Sequence, residues 1–140
     1  MLSRTFLTLV IAGSVAAACS SAQASALGAT CDDFGRTPGI NQSVEIPVGG
    51  ETTIVLCSNP STGFGWTQPT VVGAGVLGLV DSSYSAPAAA SLPIVGAAGG
   101  QVLKIRGLAA GRTTLSTSYD RSWAGGEKGQ WTYALDVTVR

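Results

Sequence analysis

Cys57-Ser58-Asn59-Pro60-Ser61-Thr62-Gly63-Phe64-Gly65-Trp66 reads as a turn held between two strands, and the rest of the chain is read outward from it. Pro60 fixes its own φ, donates no hydrogen bond and pushes Asn59 toward extended geometry. Gly63 can take a positive φ, so the chain can double back there. Ser61 and Thr62 place their hydroxyls at the tip. Ile54 and Leu56 before the turn, and Phe64 and Trp66 after it, are apolar at alternate positions, the period of a half-buried strand. The result is a stiff loop with a small tip. Asn-Pro and Ser/Thr-Gly are also ordinary turn vocabulary, so these residues alone leave open whether the loop only connects or also binds.

The same period recurs on both sides. Val44, Ile46 and Val48 alternate with Ser43, Glu45 and Pro47, with a turn at Gly49-Gly50 before the strand Thr52 to Cys57. Val71 to Val80 is apolar and glycine-spotted, enough for one or two short strands. Leu103 and Ile105, then Leu115, Thr117 and Tyr119, then Trp131, Tyr133, Leu135, Val137 and Val139 each define one face of a strand. Residues 32–42 read as an irregular lead-in, 81–100 lose periodicity, and Asp120 to Gly129 forms a second long loop. No amphipathic helix is expected. About seven short strands over roughly 100 residues predict an all-β, immunoglobulin-like β-sandwich, with a closed barrel as the alternative. Trp66 and Trp131 are expected in the core. Trp123, flanked by Ser122, Ala124 and glycines, is expected to make contacts outside it.

Composition narrows the function. The chain has 140 residues, one domain's worth, and only 11% are charged against a usual quarter. Its formal charge is zero, which leaves no basic footprint for nucleic acid or anionic lipid. Histidine is absent, which removes His-based triads, His general bases and the commonest metal ligand. No cofactor, metal or catalytic residue is expected, and the chain is not read as an enzyme.

Residues 1–24 have the form of a secretory signal peptide: Arg4, then an apolar run from Phe6 to Ala18, then small residues. Val15-Ala16-Ala17-Ala18-Cys19 resembles a bacterial lipobox that would lipidate Cys19, and Ala22-Gln23-Ala24 suits cleavage before Ser25. The lipobox is placed first, with residues 25–42 as tether and lead-in and 43–140 as the folded domain. Either way the chain is exported, as an envelope lipoprotein or a secreted or periplasmic protein, with any membrane contact made only through the Cys19 lipid. A monomer is expected. Cys31 and Cys57 then remain as an even pair in an oxidising compartment, and a bridge between them would stabilise the fold by about 3 kcal/mol.

Taken together, three loops resemble the chagasin family of cysteine-peptidase inhibitors. Asn59-Pro60-Ser61-Thr62-Gly63-Phe64 with Trp66 matches the family's Asn-Pro-Thr-Thr-Gly motif, with Ser61 in place of a threonine. Gly96-Ala97-Ala98-Gly99, followed by Gly100, corresponds to a Gly-x-Gly-Gly loop with Ala98 at a glycine position. Arg121-Ser122-Trp123 corresponds to Arg-Pro-Trp. The resemblance implies an immunoglobulin-like fold whose loops 59–64, 96–100 and 121–123 plug the cleft of papain-like cysteine peptidases, reversibly and uncleaved. By that resemblance Asn59 to Gly63 covers the catalytic cysteine with Thr62 nearest, residues 96–100 pair by backbone on the non-primed side, and Trp123 with Arg121 packs on the primed side. Ala98 is expected to add a methyl facing the peptidase, and Ser122 to leave the third loop more mobile than proline would. A non-inhibitory immunoglobulin-like binding module of the cell envelope is the other reading, because the fold hosts many roles.

Overall fold

The computed structural model describes residues 26–73, 75–87 and 96–140; the stretch read as a signal peptide, with Cys19, lies outside the described residues. In chain order the elements are β1 (Gly28–Ala29), α1 (Cys31–Arg36), β2 (Gly39–Ile46), β3 (Glu51–Ser58), a 3-10 turn (Pro60–Thr62), β4 (Phe64–Trp66), β5 (Thr70–Val71), β6 (Leu77–Ser85), β7 (Gly99–Gly107), β8 (Gly111–Arg121) and β9 (Trp131–Val139). Two sheets face each other, one ordered β1-β3-β7-β6 and the other β2-β9-β8-β4, with β5 also on β8. This is the expected sandwich and not a closed barrel. Among the described residues nine strands form, of which β1 and β5 span only two residues each, and the other seven each overlap a periodic segment.

The core is made by alternation. Ile54 and Leu56 of β3, Leu103 and Ile105 of β7, Leu115 of β8, and Tyr133, Leu135, Val137 and Val139 of β9 point inward and are buried. The residues that alternate with them along each strand point away from the core, as a pleated strand requires. Val48 departs from the expected pattern: β2 ends at Ile46, and Val48 lies exposed in the turn that follows. Trp66 and Trp131 are only half-buried, packed against the core at one end of the sandwich.

The lead-in is more structured than its composition suggests. From Gly39 to Ile46 the chain runs parallel to β9, residue for residue, from Gly39↔Thr132 to Ile46↔Val139. Parallel pairing of a strand with polar alternate positions gives little sequence signal at 39–42. Ahead of it, Thr30 caps α1. The Thr30 hydroxyl accepts from the Asp33 amide at 3.2 Å, and the Asp33 carboxylate accepts from the Thr30 amide at 2.9 Å. The Thr30 hydroxyl and then its amide, both donating to the carboxylate, hold the Asp33 pKa below its usual value. This short helix inserts Phe34 into the core, where its ring stacks on Trp131 at 4.9 Å and tilts against Trp66 at 5.4 Å. A disulfide joins Cys31 to Cys57, as the cysteine count predicts, with their Cα atoms 5.1 Å apart.

The region 81–100 also differs from its reading. β6 continues through Ser85, and β7 begins at Gly99, so Asp81 to Ser85 pair with Gly100 to Lys104. Both faces of this edge segment are exposed, which is why no apolar alternation marks it. A register shift between Leu79 and Asp81 bends the edge, a common device against sheet-to-sheet pairing.

Candidate functional site

Pro60 restricts the first loop, and its own hydrogen bonds set its shape. The Thr62 hydroxyl donates to the Asn59 carbonyl at 2.7 Å and the Thr62 amide to the same oxygen at 3.1 Å. The Ser61 hydroxyl donates to the Asn59 side-chain oxygen at 2.5 Å. Gly63 takes φ 80° and ψ −3°, the left-handed geometry that its sequence position predicts, and its amide donates to the Pro60 carbonyl at 3.0 Å. At the base, the Trp66 indole donates to the Cys57 carbonyl at 2.9 Å, beside the disulfide.

Asn59 ties this loop to the second. Its side-chain amide donates to the Gly96 carbonyl at 2.8 Å. Gly96 sits in a turn at φ 82°, where a Cβ would stand 4.0 Å from the Ser61 hydroxyl oxygen. Gly99 and Gly100 are placed differently from the expectation of free loop backbone. They lie in β7, where Gly99 pairs with Ser58 and Gly100 with Cys57 and Ser85. A Cβ at Gly99 would fall 2.2 Å from the Ser85 carbonyl, so the backbone that approaches it closely is the chain's own. Ala98 likewise packs its methyl against the core cluster.

The third loop leans on the first. Trp123 is 52% exposed, yet its ring edge covers Gly63 so closely that a Cβ there would meet Cη2 at 2.7 Å. The Arg121 guanidinium lies 4.5 Å above the Phe64 ring and 5.7 Å from the Trp123 ring. It donates to the Thr62 carbonyl at 3.4 Å and pairs with Glu127 at 3.3 Å. Its Nε is buried without a partner, held between aromatic faces. Arg121 is therefore largely engaged inside the site, bracing one loop on the other.

Below the loops runs a column of rings. Phe34, Trp131, Tyr119 and Phe64 stack in succession at 4.9, 4.7 and 5.4 Å, ending under Arg121. The Tyr119 hydroxyl accepts the Asn59 amide at 2.7 Å. Among the described residues no group of three or more His, Cys, Asp or Glu side chains is arranged to hold a metal.

The family model described as Chagasin family peptidase inhibitor I42 matches residues 45–137. The chain belongs to the chagasin family. Among solved structures, this chagasin-family chain is similar to the cysteine protease inhibitor EhICP2 from Entamoeba histolytica, with 22% identity and a TM-score of 0.63 over 81% of this chain and 95% of that one. It is also similar to Amebosin, at 27% identity and a TM-score of 0.55 over 83% and 99% of the two chains. A third likeness, to PbICP-C in its complex with falcipain-2, has 16% identity and a TM-score of 0.55 over 81% and 99%. No relative is found among curated protein sequences. The family is one of peptidase inhibitors, and nothing in these likenesses favours a non-inhibitory envelope module.

All three loops read from the sequence thus meet at one end of the sandwich. Three contributors were missed. Tyr119 reads as a plain core residue, because a hydroxyl aimed at a loop amide leaves no periodic mark. Phe34 carried a usable signal in the Thr30-x-x-Asp33 capping spacing just before it. Lys128 donates to the Arg121 and Trp123 carbonyls, contacts that only the folded loop creates.

Proposed function

We propose that the mature domain reversibly inhibits papain-like cysteine peptidases by filling their active-site cleft with the loops 59–64, 96–98 and 121–123. The observation that carries this reading is the direct bracing of the three loops: Asn59 on Gly96, and Gly63 under Trp123. Such bracing lowers the ordering cost that limits affinity. The tip between Asn59 and Gly63 has only small side chains and a proline, which suits close approach to a narrow cleft floor. Trp123 offers an exposed aromatic anchor with its far edge already seated, the kind of residue that dominates protein interfaces. The domain works by occlusion and contributes no catalytic group. Similarity to a structure titled as a complex with falcipain-2 supports the choice of peptidase class.

Titration of papain with the purified mature domain tests this. Stoichiometric, reversible loss of activity is expected, and full peptidase activity with micromolar domain present rejects it. Export as a monomer, with Cys19 as the lipidated first residue, completes the proposal. Intact mass measurement of the mature N-terminus should find a diacylglyceryl-modified cysteine; a chain starting near Ser25 would instead assign it to the secreted or periplasmic form.

A further inference from the structure

We infer that Lys128 is a positioning residue for the Trp123 loop, its ammonium clamping the carbonyls on either side of Ser122. The inference rests on the inhibitory reading above for its effect on affinity, but not for its effect on the loop itself.

Ser122 is the least restrained point of the third loop. It is exposed, it lies just beyond β8, and neither its amide nor its hydroxyl makes a hydrogen bond within the described structure. The loop returns on itself because the Arg121 amide donates to the Glu127 carbonyl at 2.8 Å and the Gly126 amide to the Trp123 carbonyl at 3.0 Å. That return brings Lys128 back across the loop. Its Nζ donates to the carbonyl of Arg121 and, at 3.3 Å, to the carbonyl of Trp123. The two acceptors flank Ser122, so one ammonium closes a ring around the residue that lacks any restraint of its own. Among the described residues Lys128 has no carboxylate partner within ion-pair distance, which leaves its charge to these two carbonyls.

The clamp matters because of what it holds. The Trp123 ring covers Gly63, and the Arg121 guanidinium reaches the Thr62 carbonyl, so a shift at Ser122 moves the brace of the first loop as well. Water competes for an exposed ammonium, so its loss is expected to weaken binding only about three- to tenfold, the scale of freeing one or two ordered side chains.

The test compares the mature chain with Lys128→Met, which keeps the stem and removes the donor. Backbone order parameters at Trp123 should fall from the rigid range of about 0.85 toward the flexible range below about 0.6. Affinity for papain should drop by the stated factor while the melting temperature holds. Ser122→Pro supplies a different restraint at the same place. It is compatible with the fold because Arg121 before it is extended and the Ser122 amide is unbonded. Added to Lys128→Met it should restore both order and affinity. Unchanged order at Trp123 in Lys128→Met overturns the inference. So does a loss of affinity that Ser122→Pro does not rescue, since the ammonium would then be touching the peptidase directly. A parent chain that fails to inhibit papain rejects the inhibitory reading, while the order parameters still decide the role of Lys128.

Discussion

The Tyr119 hydroxyl accepts the amide proton of Asn59 at 2.7 Å, across a sequence separation of 60 residues. Tyr119 is buried in the middle of the aromatic column, stacked between Trp131 and Phe64. The rigid part of the sandwich therefore holds the first residue of the first loop directly. Tyr119→Phe keeps the stack and removes the acceptor. It should cost about 1 kcal/mol of stability in urea denaturation, the typical net worth of one hydrogen bond. It should also weaken papain inhibition, because Asn59 loses the contact that aims it.

Gly63→Ala should be more damaging to the site than to the fold. The residue sits at φ 80°, and the new methyl would collide with the Trp123 ring. Strain of about 1–3 kcal/mol is expected for a side chain there. The ring must move away, so a shift in tryptophan emission should accompany the loss of inhibition. Unaltered emission together with unaltered inhibition would contradict the contact.

Trp123→Ala should leave the domain folded, since half the ring already faces solvent. Its affinity for papain should fall by about 30-fold or more, which corresponds to the ~2 kcal/mol that marks an interface hot spot. Surface plasmon resonance against immobilised papain, with circular dichroism as the folding control, measures both.

Removing the bridge by Cys31→Ser with Cys57→Ser should lower stability by about 3 kcal/mol in the chain-entropy account. The effect should reach the loop, because the Cys57 carbonyl also accepts from Trp66. Thiol titration of the denatured parent should find neither of these cysteines free.

Alkaline stability should report on Tyr133. Burial pushes its pKa up from 10.0 to about 12, while its hydroxyl donates to the Gln42 side-chain oxygen at 2.7 Å. Between those values the unfolded chain loses the phenolic proton and the folded chain keeps it. Stability is therefore full below pH 10 and falls above it, by up to about 1.4 kcal/mol per pH unit. Denaturation midpoints between pH 9 and 12 should show the decline, and Tyr133→Phe should remove this part of it.

Alternation made the sandwich legible before any coordinates. Leu115, Thr117 and Tyr119, and Tyr133, Leu135, Val137 and Val139, face inward as their spacing requires, because a strand has only two faces and one is covered. Elements escaped notice where that rule has nothing to act on. The β6 edge from Asp81 to Ser85 has both faces in water, and the six-residue helix is too short to show a period.

The composition and motif spacing of the chain were enough to determine its class and the three loops that define its family, and left the bridge between Cys31 and Cys57 as an expectation that the fold meets. Local chemistry sufficed there: proline, glycine and hydroxyl residues restrict a turn wherever it occurs. Only the tertiary structure decided how those loops are used. It moved Gly99 and Gly100 into a ladder, turned the Ala98 methyl toward the core, made Arg121 a brace and brought Lys128 across Ser122. Those roles depend on contacts between residues far apart in the chain or brought together by a loop's return, and no local pattern encodes which carbonyl a side chain will find.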